Sequence, residues 1–119
     1  MKSLVILMIE EEQPEGISAR KLVAETAKHN VITAYNPTDG FSLLRRFPKV
    51  DVILIHQSIL TDHPELIAET RKIDPGLPII VATPYGYSGT EPVDCCVDSH
   101  NPQELLRILG EKIQRRWPD

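Results

Sequence analysis

No apolar run in the sequence is long enough to cross a bilayer. The longest run, from Leu4 to Ile9, is six residues long, whereas a transmembrane helix needs about 20. No small-residue cleavage site follows this run, which argues against a secretory signal peptide. We therefore expect a cytoplasmic protein that does not associate with membranes.

The sequence also lacks the cysteine patterns of disulfide scaffolds and of metal sites. Its two cysteines, Cys95 and Cys96, are adjacent, and adjacent side chains on a strand point to opposite faces, so they are poorly placed to bridge. No C-x-x-C spacing is present. The thiols are therefore expected to be reduced, as in a cytosolic protein.

The chain also carries no excess of positive charge. The net charge is −4, which argues against a nucleic-acid-binding domain, because such domains usually carry a basic patch. A basic cluster runs from Arg107 to Arg116 and is interrupted by Glu111, as on a solvated helix face. We expect no nucleic-acid partner.

Sequence signatures of common enzyme classes are missing. Neither G-x-S-x-G nor a glycine-rich phosphate-binding loop occurs in the chain, so hydrolase activity and nucleotide binding are not expected. With 41% apolar and 25% charged residues, the 119 residues suit a single globular domain that spans residues 1–119 and has its own core.

Five short apolar segments alternate with segments of helical periodicity. The strand-like segments are Leu4–Ile9, Val31–Tyr35, Val50–Ile55, Pro78–Ala82 and Val93–Val97. This alternation predicts parallel βαβ units with right-handed crossovers and helices on both faces. We predict an α/β fold, a flavodoxin-like doubly wound five-stranded parallel sheet of order 2-1-3-4-5, with any site at the carboxyl ends of the strands.

Polar residues predict where the helices begin. Thr38 is a candidate N-cap of the second helix, and Asp62 with Glu65 has the spacing of a capping box. Asn101, followed directly by Pro102, is the predicted N-cap of the last helix.

Four segments of the chain resemble response-regulator receiver domains. They are residues 6–11, 51–56, 78–83 and 94–106, which are similar to the first, third, fourth and fifth strands of that family and to the start of its last helix. Their order and spacing extend the resemblance over almost the whole chain.

The resemblance implies a degenerate phosphorylation pocket. Glu10 and Glu11 take the place of the family's acidic metal ligands, and Thr83 matches its switch threonine. His56 stands where the family has its phosphoacceptor aspartate, and Asp98 where it has a phosphate-binding lysine. Without a carboxylate nucleophile, and with an anion in place of the cation, the pocket should repel a phosphoryl group.

A second departure from the family lies between Thr83 and Asp98. The 15 positions from one to the other are fewer than the family uses, and they are rich in turn-forming residues. We predict that the fourth helix is shortened or missing, and that Pro84, Tyr85 and Tyr87 form a candidate interface, because aromatic loop residues often anchor partners.

The resulting expectation is a non-enzymatic signalling module of two-component type, without a cofactor. This pseudo-receiver would bind a protein partner or a second copy of itself. Two alternatives stay open. One is a phosphorelay receiver that uses another acceptor, such as His56 or Ser58. The other is a metal- or small-molecule-binding module in which Glu10, Glu11 and His56 hold magnesium or a transition metal.

Overall fold

The structure, a computed structural model, describes residues 3–11, 19–47, 49–84, 86–87 and 89–117, with only the backbone of Ala19 and Leu22. The strands are β1 (Val5–Ile9), β2 (Asn30–Ala34), β3 (Val52–His56), β4 (Ile79–Thr83) and β5 (Cys95–Asp98). The helices are α1 (Ala19–Thr26), α2 (Pro37–Arg46), α3 (Gln57–Asp62), α4 (Leu66–Ile73) and α5 (Pro102–Glu111). No described helix is long and apolar enough to cross a membrane.

The five strands form one parallel sheet in the order β2-β1-β3-β4-β5, which confirms the predicted fold class. Each predicted strand is present, with ends displaced by one or two residues at most. In the register, Ile9 lies between Ala34 of β2 and Ile55 of β3. The inner strands are almost wholly buried because helices cover both faces of the sheet.

Successive residues of each strand contribute to two separate cores. In β1, Leu7 and Ile9 pack towards α2, α3 and α4, while Ile6 and Met8 pack towards α1 and α5. The Leu109 side chain of α5 is 2% exposed and belongs to the second core. This alternation is the period of two that a strand imposes on its side chains.

The N-cap of α2 was predicted wrongly. Asn36 caps this helix, and its side-chain oxygen accepts the Asp39 backbone N–H at 2.8 Å. Thr38 lies inside the helix. An asparagine before proline satisfies the first-turn donors as well as a threonine would, and Pro37 favours the first helical position.

The predicted capping box at Asp62 was also wrong. Asp62 is the last residue of α3, a short helix that the sequence pattern did not reveal, and α4 begins only after Glu65. The Glu65 side chain makes no capping hydrogen bond. At the start of α5, Asn101 does occupy the N-cap position before Pro102, but its side chain likewise makes no capping bond.

The crossover from β4 to β5 differs from the other three. Its described residues, 84, 86–87 and 89–94, form no helix, in agreement with the predicted shortening. Tyr87 and Val93 instead pack against the core on the α2–α4 side. The Tyr87 hydroxyl donates a hydrogen bond of 2.6 Å to the Glu91 carbonyl, which closes this loop on itself.

The buried Asp51 carboxylate joins the amino-terminal end of the sheet to the C-terminal segment. Asp51, with no exposed surface, accepts the backbone N–H groups of Val5 at 2.8 Å and Arg116 at 2.9 Å. The Arg116 guanidinium in turn contacts both carboxylate oxygens of Asp74 at 2.8 and 3.0 Å. Strands β1 and β3, helix α4 and residue 116 are thereby tied together.

His29 is a buried histidine that must stay neutral to keep its contact. Its Nδ1 accepts the Leu4 backbone N–H at 3.0 Å, while its buried Nε2 finds no partner among the described residues. Burial lowers the pKa of His29. A proton on Nδ1 would remove the acceptor and place a charge in the core.

We expect His29 to make folding stability fall at mildly acidic pH. Below the unfolded-state pKa of about 6.5, the unfolded chain binds a proton that the folded chain resists, so the free energy of unfolding drops as pH decreases. Urea unfolding between about pH 7.5 and 5.5 measures this slope. His29→Gln should reduce the slope, whereas the same change at half-exposed His63 should not; equal slopes in all three proteins would contradict the assignment.

Candidate functional site

The carboxyl ends of β1, β3, β4 and β5 bring four predicted site residues to the same end of the sheet. Thr83 of β4 pairs in register with Asp98 of β5, and the preceding residue of β4, Ala82, pairs with His56 of β3. Glu10 directly follows β1, which lies beside β3. The structure therefore brings Glu10, His56, Thr83 and Asp98 to the carboxyl end of the sheet, as the strand order predicts.

The most buried charged group at this end of the sheet is the Glu10 carboxylate, and it is already paired with Arg20. The Glu10 residue is 3% exposed, and its Oε2 accepts two hydrogen bonds from Arg20, one from Nε at 3.1 Å and one from a terminal nitrogen at 2.8 Å. The Arg20 side chain is itself only 12% exposed. A buried charge needs such a partner because desolvation otherwise disfavours it strongly.

Arg20 also connects distant parts of the chain. Its other terminal nitrogen donates a hydrogen bond of 3.2 Å to the carbonyl oxygen of Ser99, in the loop between β5 and α5. One guanidinium thus joins α1, the end of β1 and this loop. Arg20 was not predicted from the sequence, because nothing in its local pattern separates it from a solvated helix residue. The available signal was the carboxylate that follows a buried strand, since a buried carboxylate requires a cation.

His56 serves as the N-cap of α3. Its Nδ1 lies 2.8 Å from the Ser58 hydroxyl oxygen and accepts the Ser58 backbone N–H at 3.1 Å. Burial lowers the pKa of His56 and the nearby positive charge of Arg20 lowers it further, while Glu10 and Glu11 act in the opposite direction. The imidazole is therefore neutral at pH 7.

Thr83 and Asp98 take part in local backbone contacts. The buried Thr83 hydroxyl donates to the Gly86 carbonyl at 2.9 Å. The exposed Asp98 carboxylate accepts the His100 backbone N–H at 2.8 Å and so closes the turn before α5. Ser99 N–H donates to the Thr83 carbonyl at 3.1 Å, which keeps the ends of β4 and β5 together.

The predicted metal ligands do not converge on one point. Within the described part of the chain, no three histidine, cysteine, aspartate or glutamate side chains are placed to hold a metal ion. The Glu10 carboxylate is engaged by Arg20, and the His56 Nδ1 by Ser58. Metal binding by Glu10, Glu11 and His56 therefore stays a prediction.

Of the predicted interface residues, Tyr87 lines a groove between helices α3 and α4. We call it the α3–α4 groove. It is a cavity of about 330 Å³, lined by Gln57, Leu60, Thr61, Pro64, Ile67, Tyr87, Gly89, Thr90 and Glu91. Half-buried Pro84 lies outside this lining and borders a separate cleft next to Cys96. Tyr85 is outside the described residues.

No protein-family model and no curated protein matches the sequence. Solved structures do match, and three of the most similar are receiver domains or response regulators. A receiver domain protein (CheY-like) from Methanospirillum hungatei has a TM-score of 0.70 at 20% identity, over 93% of this chain and 94% of that one. A response regulator from Thermotoga maritima has a TM-score of 0.66 at 20% identity, over 91% and 99% of the two chains.

A receiver domain protein from Clostridium thermocellum has a TM-score of 0.65 at 19% identity, over 92% of this chain and 96% of that one. These matches span nearly the full length of both partners, and the five-stranded parallel sheet of order 2-1-3-4-5 accounts for them. This chain therefore has the fold of a response-regulator receiver domain.

Proposed function

We propose that this chain is a signal-transduction module of the receiver type that acts by binding another protein chain, without aspartyl phosphorylation and without catalysis. The receiver fold supports the signalling role. The absence of an aspartate at position 56 supports the loss of the phosphoryl switch, because a neutral imidazole that caps a helix is not a carboxylate nucleophile.

The observation that carries the proposal is the Glu10–Arg20 ion pair. In receiver chemistry, an open carboxylate at the end of the first strand would hold a divalent cation through its oxygens. Here both hydrogen bonds to Glu10 Oε2 come from a guanidinium that is fixed at its other end by Ser99. An internal cation thus engages the carboxylate oxygen Oε2 where receiver chemistry would use a divalent ion.

The first test is an amide NMR titration with magnesium and beryllofluoride, a phosphoryl mimic. We expect no saturable shift at Glu10, His56 or Thr83, since neither a free carboxylate pair nor an acceptor aspartate is available. Saturable shifts at these residues would contradict the proposal. An intact-mass increase with acetyl phosphate that Ser58→Ala abolishes would instead favour a receiver with an unorthodox acceptor, whose proton His56 could take at 2.8 Å.

A complementary prediction concerns His56→Asp, which restores the family's acceptor. We expect this variant to remain unphosphorylated by acetyl phosphate in magnesium, because Arg20 still engages Glu10 and the residue at position 98 is still an anion. Intact mass spectrometry is the measurement, with His100→Asp as a control for the change in charge. A stable phosphoryl adduct on the single variant would show that the cation site is open after all.

A further inference from the structure

The β4–β5 crossover leaves a recess where the other crossovers place helices. The connections from β1, β2 and β3 carry α1, α2 and the α3–α4 pair, whereas the described residues of the fourth form none. Tyr87 covers part of this recess on the α2–α4 side of the sheet. The α3–α4 groove lies between Tyr87 and the two helices, open to solvent.

The groove has an apolar lining, and acidic residues lie around it. Leu60, Pro64, Ile67 and the Tyr87 ring supply apolar surface. The buried Oε1 of Gln57 has no hydrogen-bond partner among the described residues, so an occupant that brings an N–H donor would remove an energetic penalty.

The acidic surroundings come from three exposed carboxylates. Glu91 lines the groove, while Asp62 and Glu65 lie beside the lining residues Thr61 and Pro64. Arg71, on the neighbouring face of α4, is already committed to the Pro92 carbonyl at 3.2 Å and to Asp94 at 3.5 Å. The groove thus suits a cationic segment that carries one bulky apolar side chain.

The chain itself presents such a segment just after α2. Phe47 is 44% exposed, one of two large apolar residues that the described part of the chain leaves in solvent. Exposed Arg46 and Lys49 line the same cavity as Phe47, and exposed Arg45 lies two residues before it in the chain. The Arg46 guanidinium lies 5.8 Å from the centre of the Phe47 ring. We call these four residues the Phe47 surface.

We propose that the α3–α4 groove of one copy binds the Phe47 surface of a second copy. The Phe47 ring would enter the apolar cavity, the basic residues would face the three carboxylates, and a guanidinium N–H would supply the donor that Gln57 lacks. Anchoring aromatics and arginines of this kind dominate interface energies. The inference rests on the proposed function and names its partner as this same chain.

The contact joins two different patches, so it is heterologous and a complementation test suits it. We expect sedimentation velocity to show a rising average mass over roughly 10 µM to 1 mM protein, the range of weak complexes. High salt should weaken the association about tenfold, because its charges are exposed. Phe47→Ala and Glu91→Lys should each remain monomeric.

Mixing these two variants is the decisive experiment. The Phe47→Ala protein keeps an intact groove and the Glu91→Lys protein keeps an intact Phe47 surface, so the mixture should form a complex of one copy of each. Tyr35→Ala, a matched exposed aromatic, and Glu25→Lys, the same charge change on α1, should self-associate like the parent chain. Circular dichroism confirms that each variant is folded.

A parent chain that stays monomeric at about 1 mM would overturn the inference, as would unchanged association in Phe47→Ala or a mixture that fails to assemble. None of these results would contradict the proposed function, because the chain could still act by binding a different protein. Conversely, phosphorylation of the pocket would refute the proposed function and leave the measured association as it stands.

Discussion

Replacing Arg20 by methionine should lower the free energy of unfolding by about 3–5 kcal/mol, because it leaves the Glu10 carboxylate buried without a counter-charge. The Ser99 carbonyl loses its donor in the same step. Urea denaturation of the purified chain measures the loss. The pKa of His56 should rise in this variant, since the positive charge of Arg20 lowers it; NMR titration of the imidazole gives a readout that a purely structural role would not move.

Two controls separate the buried pair from a general effect of losing an arginine. Arg107→Met removes a half-exposed guanidinium paired with Glu111 and should cost less than about 1 kcal/mol. Adding Glu10→Gln to Arg20→Met should recover part of the loss, since no buried charge then remains unpaired. A cost below about 1 kcal/mol for Arg20→Met would mean that Glu10 finds water or another partner.

The second large effect is expected for Asp51→Ala. This change removes the acceptor of two backbone N–H groups, those of Val5 and Arg116, and each unsatisfied buried donor costs about 1–3 kcal/mol. We therefore expect a total loss of about 2–6 kcal/mol, measured by thermal or urea unfolding.

Asp94 offers a matched comparison for Asp51. Its carboxylate also accepts a backbone N–H at the start of a strand, that of Ile79 at 2.7 Å, but its side chain is 47% exposed. Water can replace this contact, so Asp94→Ala should cost less than Asp51→Ala. Equal losses would mean that burial does not set the difference.

The fold was predictable because its signal is repeated along the chain. Each inner strand is a continuous apolar run with a polar residue at its end, as in Val52–His56, and this is how a strand covered on both faces must read. The regular alternation with helices then leaves few possible topologies. The ends of the strands were predicted less accurately, because burial decreases gradually there. Asp98, for example, belongs to β5 and pairs with Thr83 although it is polar.

Features that depend on distant contacts were not predictable in the same way. Helix α3 has six residues, which is less than two helical turns and gives no readable period. Arg20 lies 10 residues from Glu10 and 79 from Ser99, so its role emerges only once α1 packs beside the end of the sheet. The sequence correctly predicted which strand ends meet, but not which cation lies among them.

Strand β5 pairs with a single neighbour, β4, and is the shortest strand of the described sheet. It has four residues at the sheet edge, one of them buried, and the described residues of its incoming crossover form no helix. Its amides should therefore exchange with deuterium through local opening, while those of β1 and β3 should exchange only when the whole domain unfolds. Because Tyr87 in this crossover forms a wall of the groove, any chain bound there should slow the exchange of β5 without contacting it directly.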